Sequence, residues 1–317
     1  MSAGTGGRSG SVADRTGQAV ASALIDAPAE VVHELLTDLA LWPRLFPWIL
    51  HTECLERDGN TDLVRYWGVT AEETIRTWVS RRRVDPAGLR MDFEQQGAVG
   101  EVARLSGSWV CTAQADGRTL IESVHEFALA EGAPVGREQV TEMFHGRSRV
   151  QLARLAECAE RRAEWDGRTL SFTDSLTLPA APDEVYRALA DPARWPQGHG
   201  TGEGVVRAEV TEKEPGVQFL DLDVRAPDGS LRTARTVRLP LSPDRIVLKY
   251  LGRPTGIELH TGRWTVAPAG EGTLVTADQT VVLNSAASKG ELPVRLRLRL
   301  GEDALVILRA IRGRPRP

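Results

Sequence analysis

The chain has 317 residues, 41% hydrophobic and 26% charged, which is room for about two domains of ordinary size, each able to bury its own core. A formal net charge of −4 gives no bulk attraction to nucleic acid or to an anionic membrane, and no apolar run approaches the ~20 residues of a membrane span. The amino-terminal end lacks the apolar core of a signal peptide, so a cytoplasmic protein with no nucleic-acid or membrane partner is expected.

Residues 1 to 16, rich in Gly and Ser, show no periodicity and are expected to form a disordered tail. Gln18 to Asp26 predicts a strand. Ala27-Pro28-Ala29-Glu30 then opens a helix with proline in its first turn, where the missing N–H costs nothing, and Val31, Val32, Leu35, Leu36 and Leu39 give the helical apolar spacing. After a loop with Leu41-Trp42-Pro43 and Phe46-Pro47-Trp48 come strand-like runs at 49–57, 62–70, 72–84, 88–95, 101–115 and 118–129, broken by Gly and Pro turns. A long helix from Pro134 to Ala163 closes the unit.

The same order then begins again. Ala181-Pro182-Asp183-Glu184 answers Ala27-Pro28-Ala29-Glu30, Trp195-Pro196 answers Trp42-Pro43, Arg235-Thr236-Val237 answers Arg76-Thr77-Trp78, Ser242-Pro243-Asp244 answers Asp85-Pro86-Ala87, and Gly262-Arg263-Trp264 answers Gly107-Ser108-Trp109. Landmarks recur at offsets of 153 to 159 residues, so the chain is a duplicated domain, 17–164 and 169–313. Each half reads as α+β: a curved antiparallel β-sheet wrapped around a long C-terminal helix, with a pocket between them. Val294 to Leu300 alternates apolar residues with Arg, a strand pattern, where the repeat puts the start of the second long helix. The better helical signal runs from Glu302 to Arg312.

In a strand over 72–83, Trp78, Ser80 and Arg82 share a face, as suits the wall of a polar-tipped organic pocket. In 231–239 the odd positions Leu231, Thr233, Arg235, Val237 and Leu239 form the more apolar face. A charge there needs a partner or a ligand: either substrate for Arg235, or an ion pair with Asp221 or Asp223. On the first long helix Val140, Phe144, Leu155 and Cys158 share a face into which Arg147 and Gln151 fall, so both are candidates for the cavity wall, unless Arg147 snorkels to the rim. His260 and His125 are candidate acid/base groups or structural histidines. The cysteines Cys54, Cys111 and Cys158 form no C-x-x-C and are expected to be buried small hydrophobes. No H-E-x-x-H, G-x-S-x-G, P-loop or G-x-G-x-x-G is present, and Gly198 to Gly204 reads as a flexible loop.

Through the Ala27-Pro28 helix, the Leu41-Trp42-Pro43-Arg44-Leu45-Phe46-Pro47 loop, the Trp78-Val79-Ser80-Arg81-Arg82 strand and Gly107-Ser108-Trp109, the first half resembles the polyketide aromatase/cyclases of bacterial type II polyketide synthases. These are helix-grip proteins, in the superfamily of START and Bet v 1-like domains, and the tandem arrangement is similar to the di-domain subclass. The resemblance implies an enzyme without cofactors, acting on a poly-β-ketone tethered to an acyl carrier protein. It would direct aldol closure of the first ring between the seventh and twelfth carbons, dehydrate that ring, or both. It also implies roles. Arg82 would hold and polarise a ketide carbonyl, Ser80 would supply a wall hydroxyl, and Trp42 and Trp78 apolar wall. In the second half Arg235, Trp195 and His260 would serve a second step, substrate retention or structure only, and rim arginines Arg44, Arg81 and Arg83 would meet an acidic carrier protein or serve solubility alone. Where a family member carries a pocket tyrosine shortly after the Trp-Pro loop, this chain has Ile49, so no hydroxyl donor stands there. A non-catalytic carrier of a hydrophobic small molecule and a scaffold subunit of a synthase are the other readings of the same container.

Overall fold

The computed structural model describes residues 15–70, 74–195, 204–241, 243–252 and 256–312. The expected loop after Gly198 and most of the expected tail lie outside these residues, while Thr16 already belongs to the first strand. The chain divides into two compact units; apart from a short segment at 71–75, the division falls between Arg162 and Ala163.

In the first unit, β1 (Thr16–Ile25) leads to α1 (Ala29–Thr37) and the one-turn α2 (Trp42–Leu45). Strands β2 (Ile49–Asp58), β3 (Thr61–Val69), β4 (Ile75–Asp85), β5 (Arg90–Gln96), β6 (Val102–Ala113) and β7 (Thr119–Leu129) follow, then α3 (Arg137–Glu160); the short α4 (Arg162–Gly167) spans the division between the units. The second unit repeats the plan with β8 (Thr169–Leu178), α5 (Pro182–Ala190), β9 (Gly204–Glu214), β10 (Val217–Arg225), β11 (Leu231–Leu241), β12 (Arg245–Tyr250), β13 (Ile257–Ala269), β14 (Gly272–Leu283) and α6 (Leu292–Arg312). Each sheet has seven strands, ordered β1-β7-β6-β5-β4-β3-β2 and β8-β14-β13-β12-β11-β10-β9. The first strand of each unit closes against the last, so a meander with tight turns becomes one curved surface that a helix can cover.

The helices bury the faces their spacing dictates. Val140 and Phe144 of α3 pack on Ala19, Val102, Phe127 and Leu129 of the sheet, and Leu155 and Cys158 continue the same buried stripe. In α6 the alternation at 294–300 is resolved by helical geometry: Leu296 and Leu300, four apart, are buried, whereas Val294 and Leu298 are 63% and 60% exposed. The helix therefore includes the segment whose pattern read as strand. Gly107 recurs as Gly262 for a steric reason. A Cβ at Gly107 would collide with the Val124 carbonyl and the Phe93 ring, and one at Gly262 would press on Leu248. Of the cysteines, Cys111 and Cys158 are buried as expected, but Cys54 on β2 is exposed.

Candidate active site

The interior of the first unit holds a cavity of about 570 Å³ between α3 and the inner face of the sheet. Strand alternation brings Arg76, Trp78, Ser80 and Arg82 of β4 to its wall, and the antiparallel partners of Ser80 and Arg82, Gln95 and Phe93, stand beside them. Trp42, Arg147 and Gln151 line the same space. Six of the nine site residues read from the sequence thus meet in one cavity: Trp42, Trp78, Ser80, Arg82, Arg147 and Gln151.

Arg82 is 2% exposed, and its Nη2 donates to Asp62 Oδ2 at 2.7 Å, while Nη1 faces Met91 Sδ at 3.9 Å and Nε has no protein acceptor. Asp62, itself buried on β3, also takes a 2.7 Å bond from Arg57. Burial opposes ionisation of Asp62, but the hydrogen bonds from Arg57 and Arg82 outweigh it and hold its carboxyl below the ordinary carboxylate value. The guanidinium is thereby anchored from behind.

Tyr66 is the functional candidate that the sequence reading missed. It lies on β3 four residues beyond Asp62, so both point inward. Its ring stacks on Trp78 at 5.2 Å and lies 5.2 Å from that of Trp42, and its hydroxyl is near enough to Arg82 to feel the cation. Burial pushes the phenol up to about 12, with the Arg82 cation pulling the other way. A phenolic donor therefore stands beside the guanidinium, supplied by a strand other than the one where Ile49 left a gap.

His125 on β7 completes the polar set. Its Nδ1 faces Ser148 Oγ at 3.3 Å and Ser123 Oγ at 3.5 Å, and its ring stacks on Phe144 at 5.2 Å. Burial, and then the Arg147 cation, lower its pKa to about 4, so it is a neutral imidazole at physiological pH. Arg81 and Arg83, the odd positions of β4, lie on the opposite, outer face of the sheet in a groove with Asp92 and Glu94. They are not rim residues of the cavity, and Arg44 sits half-buried on α2.

The second unit corrects the reading of β11. Arg235 pairs across the strands with Asp221, Nη1 to Oδ2 at 2.7 Å, on the face away from the core, so it is the ion pair and not an inward group. The inner face carries the even residues: Thr236 lies opposite Leu220, and Arg238 opposite Leu248, both members of the core that contains α6. Ladder registers fix the correspondence. Trp109, Met91 and Val84 are successive neighbours in the first sheet, and Trp264, Ile246 and Pro240 in the second. Two residues before Val84 and Pro240 stand Arg82 and Arg238, an offset of 156 residues. At the same offset Gln218 replaces Asp62, and Gln218 Oε1 accepts from Arg238 at 3.0 Å, while the Leu189 carbonyl accepts at 2.6 Å. Trp195 packs parallel to Trp264 at 6.4 Å with Arg238 over its ring, and His260 stacks on Tyr250 at 3.8 Å with Nε2 on Gln279 Oε1 at 2.8 Å. These groups are satisfied by protein partners, and Arg235, Trp195 and His260 stand apart from the cavity of the first unit.

Comparisons with known proteins agree with the duplicated fold. The profile of the family described as "Polyketide cyclase / dehydrase and lipid transport" matches residues 16–160 and again 169–302. The chain is 31% identical over 296 residues to the granaticin polyketide synthase bifunctional cyclase/dehydratase of Streptomyces violaceoruber, covering 90% of each chain. It is 30% identical to the actinorhodin polyketide synthase bifunctional cyclase/dehydratase of Streptomyces coelicolor, covering 89% of this chain and 92% of that one. Among solved structures, the di-domain ARO/CYC BexL from the BE-7585A biosynthetic pathway superposes with a TM-score of 0.82 at 30% identity, covering 95% of this chain and 99% of that one.

Proposed function

The chain belongs to the polyketide cyclase/dehydrase and lipid transport family, matched in both halves, and on that premise we propose that it is an aromatase/cyclase acting on a poly-β-ketone in the cavity of the first unit. The observation that carries the reading is the pair Arg82 and Tyr66, anchored from behind by buried Asp62, in the wall of a cavity that also presents the rings of Trp42, Trp78, Phe93 and Trp109. An anchored cation beside a phenol suits a carbonyl oxygen that gains charge as the ring closes.

Aldol closure needs an enolate at one carbon and an electrophilic carbonyl held near it. β-Diketone methylenes are acidic, so a weak base suffices, and neutral His125 supplies a lone pair within the cavity. As the enolate carbon attacks, the C–C bond forms, the carbonyl π pair moves to oxygen opposite Arg82, and the alkoxide takes a proton from Tyr66 or from water. The proton taken up by His125 returns through water to Tyr66; dehydration then passes the proton on the neighbouring carbon to His125 and expels the hydroxyl as water with a proton from Tyr66. Ser80 positions a ketide oxygen, Trp42 and Trp78 flatten the chain, and Arg147 and Gln151 bind it from the helix side.

The substrate is taken to be carrier-bound, with first-ring closure between the seventh and twelfth carbons, as the resemblance implies; the strand arginines Arg81 and Arg83 are withdrawn from any role at the mouth. A carrier of hydrophobic ligands is disfavoured by three guanidinia in the wall, Arg76, Arg82 and Arg147. The test is reconstitution with a minimal polyketide synthase. Added protein should convert the mixture of spontaneously cyclised compounds into one aromatic product, and an unchanged mixture would support the carrier reading instead.

A further inference from the structure

Three arginines and, among the described residues, no Asp or Glu line the cavity of the first unit. Arg82 is neutralised from behind by Asp62 at 2.7 Å. Arg76 and Arg147 are not neutralised: neither forms an ion pair with a described residue, and each lies close enough to the other that Arg76, after loss of hydration, is a cause of the lowered pKa of Arg147. Arg147 otherwise rests only against the Phe144 ring, its guanidinium carbon 6.0 Å from the centroid. The neighbouring polar wall groups Thr70, Gln95 and Gln151 are uncharged.

The second unit holds a different pair at these positions. At the offset of 156 residues set by the ladders of β4 and β11, Arg76 corresponds to Arg232; the buried residues Val140, Phe144, Ser148 and Leu152 of α3 match Leu296, Leu300, Ala304 and Leu308 of α6 at the same offset, so Arg147 corresponds to Asp303. There the strand arginine donates to the helix aspartate at 2.7 Å, and the charge is closed internally. In the first unit both positions are arginine, so two solvent-exposed guanidinia stand on the wall of one cavity, beside Val150, which is 52% exposed. Two cations on one cavity wall, with no carboxylate among the described lining residues, are met by hydration or by an anionic ligand, and a pair of planar donor forks suits an oxyanion.

We infer that Arg76 and Arg147 form an oxyanion-binding site at the cavity mouth, which grips the charged end of a ligand whose uncharged part fills the cavity. The inference rests on the cavity being the ketide site. Two sources share the chemistry: the phosphate ester of the pantetheine arm through which a carrier protein presents its acyl chain, and the carboxylate of a released chain. Along β4, Arg76 and Arg82 are six residues apart, about 20 Å at ordinary strand rise, so the anion is held well away from the reacting carbonyl. The site selects and orients the ligand and takes no part in bond making.

The test is calorimetric titration of the full chain with two pairs of probes: an S-naphthylmethyl pantetheine with and without its 4′-phosphate, and a naphthylacetic acid with its methyl ester. Wild-type protein should bind one charged member about tenfold more tightly than its neutral partner, and the advantage should shrink with added salt. The phosphate pair showing it assigns the carrier arm, the carboxylate pair the released acid. Arg147→Asp, which recreates the internal ion pair of the second unit, should bring the ratio of charged to neutral binding to about one. Arg76→Gln and Arg147→Gln should each reduce it. Equal binding of charged and neutral probes by the wild type overturns the oxyanion site and leaves the cavity reading standing; failure of even the neutral probes to bind overturns both.

Discussion

Replacing Asp62 by Asn tests the anchoring of Arg82 directly. The two side chains are 7% and 2% exposed and joined at 2.7 Å, so the substitution leaves a buried guanidinium facing a neutral amide. Removing one partner of such a pair costs about 3–5 kcal/mol, and since Asn keeps the shape and one acceptor oxygen, the lower end, ~3 kcal/mol, is expected. Arg57, the other partner, is 64% exposed and adds little. The pH dependence has a definite sign. The Asp62 carboxyl is held below its ordinary 3.8, so its contribution is complete above that value and is lost as the pH falls through the lower folded value. The penalty of Asp62→Asn is therefore full at pH 7 and shrinks steadily below about pH 4. Urea unfolding followed by tryptophan fluorescence measures it, five of the eight tryptophans lying in the first unit. A loss under about 0.5 kcal/mol at pH 7, or an equal loss at pH 7 and pH 3, would refute the reasoning.

The converse change, Gln218→Glu, gives Arg238 the anion it lacks. Loss of hydration holds that guanidinium down at about 10, and the second unit is expected to gain about 1–2 kcal/mol against urea at pH 7. Gly146 lines the cavity from mid-helix and a Cβ there would meet nothing within 4 Å. Gly146→Ala should raise stability to thermal unfolding by about 0.5–1 kcal/mol. With His125 neutral down to about pH 4, the rate of ring formation should show no ionisation near 6.5 and should fall only as the pH approaches 4, which a pH–rate profile checks.

Much of this molecule is legible in the sequence because turns and apolar spacing are local. The Asp-Gly and Pro-Gly breaks delimit the strands to within a few residues, and the recurrence of Gly107-Ser108-Trp109 as Gly262-Arg263-Trp264 reveals the duplication. Alternation alone also puts Trp78, Ser80 and Arg82 on one face. It fails in β11 because Thr236, Val237, Arg238 and Leu239 are all buried, so both faces are covered and hydrophobicity no longer separates inside from outside. The similar triplets Arg76-Thr77-Trp78 and Arg235-Thr236-Val237 stand 159 residues apart, whereas the ladder registers require 156. Tyr66 and Asp62 carry a sequence signal, an inward alternation in β3, but which strand lies beside β4 and in what register is a tertiary fact. The unneutralised pair Arg76 and Arg147 is visible only once helix and strand are placed together and compared with Arg232 and Asp303.

The account stands or falls on Arg82 as the group that polarises the reacting carbonyl. Its direct test is the product profile of Arg82→Gln and Arg238→Gln proteins, each shown to be folded, reconstituted with a minimal polyketide synthase. Arg82→Gln is expected to return the products to the spontaneously cyclised mixture seen without the protein, while Arg238→Gln keeps the wild-type aromatic product. An Arg82→Gln protein that still delivers that product, or a folded Arg238→Gln protein that alone loses it, would contradict the assignment of the chemistry to the first unit.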